Sequence, residues 1–263
     1  MKRLLVASFV LALLVPACAF AQNAFSGTWK VDPGSMQETG GKPMVMSFKD
    51  GMYTDDDTPA VSIKADGQDH AVSGHPSFDT VALKVIDDHT VERTQKKNGK
   101  TVWNGTFQVA QDGKTATGES TMYKDGSAAA KSKVRFDRVG KAPSGSNAAA
   151  GSWRMGKLIS ADADSLIDTY QVDGDKIDYK SASGSSYTAT IGGNAVPFME
   201  NGKQSGTISV KRMGKDTLRE TAERDGKTRF TSTMTISPDG KSMKTSNYST
   251  KNKTTETWVS NKQ

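Results

Sequence analysis

The sequence predicts an all-β chain folded as two tandem antiparallel meander β-barrels of about eight strands each. Three observations predict it: the chain is written twice, apolar residues alternate with polar ones, and glycine-bearing turn pairs interrupt it at short, even spacing.

The repeat sets the domain plan. "TVALKV" at 80–85 falls on "TISVKR" at 207–212, "DHTVERTQKKNGKT" at 88–101 on "KDTLRETAERDGKT" at 215–228, and "WNGTFQVAQDGKTAT" at 103–117 on "FTSTMTISPDGKSMK" at 230–244. One unit of about 115 residues has been duplicated. The first copy spans 25–139, "GKAPSGSNAAA" at 140–150 has the composition of a flexible tether, and the second copy spans 151–259.

Each copy reads as strands with one buried face. Trp103, Phe107 and Val109 alternate with polar residues as Phe230, Met234 and Ile236 do, and Val81 and Leu83 pair with Ile208 and Val210. Asp50-Gly51, Asp66-Gly67, Asn98-Gly99, Asp112-Gly113 and Asp125-Gly126 punctuate the first copy. Asp173-Gly174, Asn201-Gly202, Asp225-Gly226 and Asp239-Gly240 punctuate the second. Such pairs tolerate the positive φ of tight hairpins. A meander of this size leaves two raw edges unless its last strand closes on its first, and about eight strands make a barrel either filled by side chains or holding one small ligand.

The pentad that opens each copy fits closure. "FSGTWKV" at 25–31 and "AAGSWRM" at 149–155 share a glycine, a small hydroxyl residue, a tryptophan, a cation and an apolar residue. The expectation is that Trp29 and Trp153 each seal the floor of their own barrel. Gly27-Thr28-Trp29 and Gly151-Ser152-Trp153 resemble the Gly-x-Trp motif of the lipocalin and calycin superfamily. That resemblance implies small closed meander barrels that carry hydrophobic ligands, with a basic residue from the last strand lying over the Trp. Arg135 or Arg138 matches that part in the first copy; the second has only Lys251, Lys253 and Lys262 in the region.

Residues 1–21, "MKRLLVASFVLALLVPACAFA", combine two cations, an apolar run from Leu4 to Val15 and the small-residue pattern ending at Ala21. This is the pattern of a secretory signal peptide, and the run falls short of the ~20 residues of a membrane-spanning helix. Cleavage after Ala21 predicts a periplasmic or secreted protein without membrane insertion. Val15-Pro16-Ala17-Cys18 resembles a lipobox and supplies a second reading, a lipid anchor at Cys18, against which the proline counts. Cys18 is the single cysteine, so the chain after Ala21 has no disulfide and no thiol chemistry.

The 35 basic residues exceed the 29 acidic ones, and two of the basic ones, Lys2 and Arg3, lie in the leader. The remaining excess is spread along strands and turns, which argues against a nucleic-acid partner.

Side chains with chemical potential have plain structural readings as well. His70 and His75 lie in "DGQDHAVSGHPSFD" with Asp69 and Asp79 nearby, but their spacing matches no zinc motif and the second copy has no histidine; a metal-dependent enzyme built on His70 and His75 is the third-ranked function. Met44 and Met46 put two thioethers on one strand face, as copper sites do and as core methionines do. Asp55-Asp56-Asp57 lacks the glycine and distal glutamate of a calcium loop and reads as a charged turn. Glu92-Arg93 becomes Arg219-Glu220 in the second copy, which moves the acid to the opposite strand face; cross-strand ion pairing accounts for both. The sequence has no nucleophile elbow, Ser-x-x-Lys, His-Glu-x-x-His or phosphate loop.

The leading expectation is a non-enzymatic exported binding protein without cofactor, each barrel offering a pocket for a small apolar or amphipathic ligand. Its lining is drawn from the inward set Trp103, Phe107, Val109, Val81 and Leu83 in the first barrel and Phe230, Met234, Ile236, Ile208 and Val210 in the second. The alternative is an envelope scaffold with filled barrels.

Overall fold

The computed structural model describes residues 24–124, 126–140 and 145–263. The expected leader and the lipid-anchor cysteine lie outside the described residues. Among the described residues no helix is long and apolar enough to cross a membrane, a statement that leaves β-strands aside.

The chain is all-β and forms two antiparallel barrels of about ten strands each, not the eight expected. The extra strands come from breaks without an Asn-Gly or Asp-Gly mark. Ser183-Gly184 separates Lys176–Ser181 from Ser185–Thr190, and Gly192-Gly193 lies in the loop before Val196–Glu200. Where marked pairs do make two-residue hairpins they behave as read: Asp50, Asn98, Asn201 and Asp225 have φ of 52°, 49°, 50° and 53°, each followed by a positive-φ glycine.

The tryptophan strands are exchanged between the barrels, contrary to the expectation that each seals its own. Gly27–Val31, carrying Trp29, lies in the second barrel between Ile167–Asp173 and Thr254–Lys262. Gly151–Ala161, carrying Trp153, lies in the first barrel between Met44–Lys49 and Ser127–Val139. Both rings are fully buried, Trp29 among residues of the second copy and Trp153 among residues of the first. The exchange is possible because the two strands are near-duplicates making the same contacts. Trp29 Nε1 donates to the Phe25 carbonyl at 2.9 Å, and Trp153 Nε1 to the Ala149 carbonyl at 2.9 Å. Gly27 and Gly151 hold φ of 140° and 113°, which side chains rarely adopt. A cation from the neighbouring strand covers each indole, Arg138 at 4.0 Å from the Trp153 ring and Lys262 at 5.2 Å from the Trp29 ring.

The chain therefore crosses between barrels twice. After Val31 it makes a short turn at Pro33–Ser35, adds Gln37–Gly40 to the edge of Thr254–Lys262, and enters the first barrel at Met44. After Ala161 it returns through Ala163–Leu166. Arg154, on Gly151–Ala161, donates to the Gly40 carbonyl and so ties the first crossing to the first barrel.

The end of the expected tether is packed. Ala148 N donates to the Asp88 carbonyl at 2.8 Å, Asn147 Nδ2 to the Asp87 carbonyl at 2.9 Å, and Ala149 is wholly buried in the first core. Three consecutive alanines are small enough to seal the space beneath Trp153, where Phe25 does the equivalent beneath Trp29.

Candidate functional site

The hairpins align the two interiors position by position. The pair Lys49–Met52 corresponds to Asp173–Lys176, which matches Met44, Met46 and Asp55 with Asp168, Tyr170 and Tyr179. The pair Lys97–Lys100 corresponds to Arg224–Lys227, which matches Arg93, Trp103, Gly105 and Phe107 with Glu220, Phe230, Ser232 and Met234. Further round, Gly118 and Val134 match Thr245 and Trp258.

The first barrel holds a cavity of about 160 Å³ walled by Met44, Met46, Trp103, Phe107, Val134 and Phe136. Two glycines make the room for its aromatic walls. A Cβ on Gly105 would lie 2.5 Å from a Trp103 ring carbon, and one on Gly118 would lie 2.8 Å from a Phe136 ring carbon, so both rings lie directly on backbone. Phe107 meets Trp153 edge-on at 5.1 Å and Phe136 at 5.3 Å, which fixes the wall to the floor.

Two charged residues border this cavity among the described residues, and both are paired: Glu119, an exposed residue, meets Lys133 Nζ at 2.7 Å, and Arg93 is held by buried carboxylate. Arg93 Nη1 donates to Asp55 Oδ2 at 3.0 Å and Nη2 to Asp57 Oδ2 at 3.3 Å, with the Asp55 side chain 4% exposed. Asp55 also accepts from Tyr53 Oη at 3.1 Å and from the backbone N–H groups of Asp57 and Val61. The Asp55 part of the charged turn is thus a buried anchor. Burial pushes the Tyr53 hydroxyl up, so it stays a neutral donor. Arg93 Nε is buried and meets no acceptor among the described residues.

The second barrel holds a cavity of about 230 Å³ with different walls: Asp168, Tyr170, Tyr179, Glu220, Phe230 and Trp258 among them. Glu220 stands where Arg93 stands in the first barrel. Its Oε1 accepts from Tyr187 Oη and the residue is 6% exposed. Burial raises its pKa to about 7, with the Tyr187 hydrogen bond pulling down and Asp168 pushing up. Asp168 is raised too, by burial, against the hydrogen bond that Tyr179 Oη donates to its Oδ1 at 3.0 Å. Among the described residues neither carboxyl has a Lys, Arg or His partner, so cross-strand ion pairing accounts for neither position: Arg93 faces Leu83 and Gly105 on its neighbouring strands and reaches Asp55 on a strand that does not adjoin its own, and Glu220 has no cation.

Trp103, Phe107 and Leu83 of the sequence-derived lining border the first cavity, and Phe230, Met234 and Ile208 the second. Val81, Val210, Val109 and Ile236 lie in the packed cores without bordering either cavity. The charged and tyrosyl residues were missed, although strand parity carried a signal: Arg93 follows Val91 by two and Glu220 follows Leu218 by two, which places both inward.

The histidines do not converge. His70 Nε2 contacts Asp66 at 2.8 Å, His75 stacks on Phe78 at 4.3 Å, and His89 Nδ1 lies 3.2 Å from the Val109 carbonyl. Among the described residues no group of three His, Cys, Asp or Glu side chains could hold a metal ion. The chain matches no protein-family model, and no curated protein matches it.

Proposed function

We propose that the protein is an exported, lipocalin-like binding protein whose first barrel takes a small amphipathic molecule: an apolar or aromatic body with one hydrogen-bond acceptor. The observation that carries this reading is a cavity of about 160 Å³ with largely apolar walls, bordered by a guanidinium whose Nε has no partner among the described residues. An apolar cavity of about 150 Å³ accepts a benzene-sized molecule, and the Arg93 guanidinium on its border favours a ligand that carries an acceptor. The lipocalin part of the reading is supported by the buried Gly-x-Trp indoles and the cation over each. Export rests on the composition of residues 1–21. The protein is read as doing no chemistry on its ligand.

Benzoate and toluene, titrated separately against 15N-labelled protein, test this reading. Saturable shifts centred on Trp103 and Phe107, tighter for benzoate than for toluene, are expected, together with their loss in Gly105→Ser, whose side chain displaces the Trp103 wall. Shifts absent for both probes, or unchanged in Gly105→Ser, overturn it.

A further inference from the structure

The second cavity has a chemistry that the first does not share. Two buried carboxyls, Asp168 and Glu220, face it without a cation partner among the described residues, which is an expensive arrangement unless something supplies the missing charge. Glu220 uses one oxygen to accept from Tyr187, and among the described residues no donor reaches the other. Glu200, a third carboxylate bordering the cavity, is half-exposed and is paired with Arg224 at 3.5 Å.

The walls around these carboxyls are aromatic. Tyr179 lies 4.9 Å from Tyr170 and 5.1 Å from Tyr187, and Phe198 meets Phe230 edge-on at 6.0 Å. Aromatic faces attract cations, most strongly where water is excluded, and quaternary ammonium groups are the ligands that such cages suit. Trp258 borders the same cavity, and its buried Nε1 has no acceptor among the described residues. The site therefore offers negative charge, π-faces and one unsatisfied donor. A metal ion fits poorly: Glu200 also borders the cavity, yet among the described residues no three His, Cys, Asp or Glu side chains are grouped so as to hold one.

We infer that the second barrel binds a small organic ammonium ion carrying an acceptor oxygen, its cationic head held between Glu220, Asp168 and the tyrosines and its oxygen turned to Trp258. The inference stands apart from the first barrel's ligand and would survive the loss of that reading. Ligand charge replaces the absent cation, and a bound cation holds Glu220 ionised.

Calorimetric titration with choline and with its neutral carbon isostere, 3,3-dimethylbutan-1-ol, separates charge recognition from shape. At pH 8 choline is expected to bind at least tenfold more tightly than the isostere. Glu220→Gln, which keeps an acceptor for Tyr187, and Asp168→Asn, which keeps one for Tyr179, are each expected to erase that preference. Two independent variants guard against misfolding of one, and unchanged benzoate shifts at Trp103 report an intact first barrel. Equal affinity for the two probes, no binding of choline, or a preference that persists in both folded variants overturns the inference.

Discussion

The two barrels share backbone, turns and floor, and differ in what stands at matched interior positions. The first places Arg93 opposite Asp55 and lines the remainder with Met44, Met46, Trp103 and glycine-backed rings; the second places Glu220 and Asp168 among tyrosines. The difference teaches that a duplicated β-barrel can diverge in its upper interior while its lower layers stay apolar. Val81, Leu83 and Val91 below Arg93 match Ile208, Val210 and Leu218 below Glu220, and all are nearly inaccessible. The floor carries the stability common to both copies, which leaves the upper layer free to change sign.

The largest effect expected concerns the floors themselves. Trp29→Ala and Trp153→Ala each remove a fully buried indole and should cost about 3–5 kcal/mol. Hydrogen exchange would rise across 167–262 for Trp29→Ala and across 44–139 for Trp153→Ala, and the reverse pattern would contradict the strand exchange. Next comes Arg93→Ala, which leaves Asp55 buried and unpaired; a loss of about 3–5 kcal/mol in urea melts is expected. The equivalent change Glu220→Gln should cost little, because its hydrogen bond to Tyr187 can persist.

The third prediction uses pH to tell the barrels apart. Glu220 titrates near 7 when folded, above its ordinary value of 4.5, so the folded state favours the protonated form. Its contribution is complete below about 4.5 and is lost as pH rises through about 7, amounting to about 3 kcal/mol for full burial. Melting curves of Glu220→Gln should show a smaller decline between pH 5 and 8 than the parent protein. A decline of the same size in both would remove Glu220 as its source. The smallest effect is expected for Gly118→Ala: pressing a methyl group onto Phe136 should cost about 1–3 kcal/mol and weaken benzoate binding without touching choline.

Periodicity made the fold legible. Alternation such as Trp103, Phe107 and Val109 against Phe230, Met234 and Ile236 placed the buried faces, and Asn-Gly and Asp-Gly placed many of the hairpins. Strand exchange was illegible for the reason that makes it possible: Gly-Thr-Trp-Lys-Val and Gly-Ser-Trp-Arg-Met are chemically interchangeable, so no residue preference says which barrel either joins. The inward direction of Arg93 and Glu220 was available from strand parity. Their partners were not, since Asp55 and Tyr187 lie far away in sequence and meet them only after closure.

The exchanged strands also bear on the order in which the molecule assembles. Residue 263 donates its backbone N–H to the Thr28 carbonyl, and Trp29 lies opposite Lys262, so the second barrel is completed by the earliest and latest described stretches of chain. When the strands of the first barrel have been made and Gly151–Ala161 has not, the slot that Trp153 will fill faces a ready substitute in Gly27–Val31. Biogenesis must either leave that slot vacant or evict its first occupant, and the resident indole records which strand won.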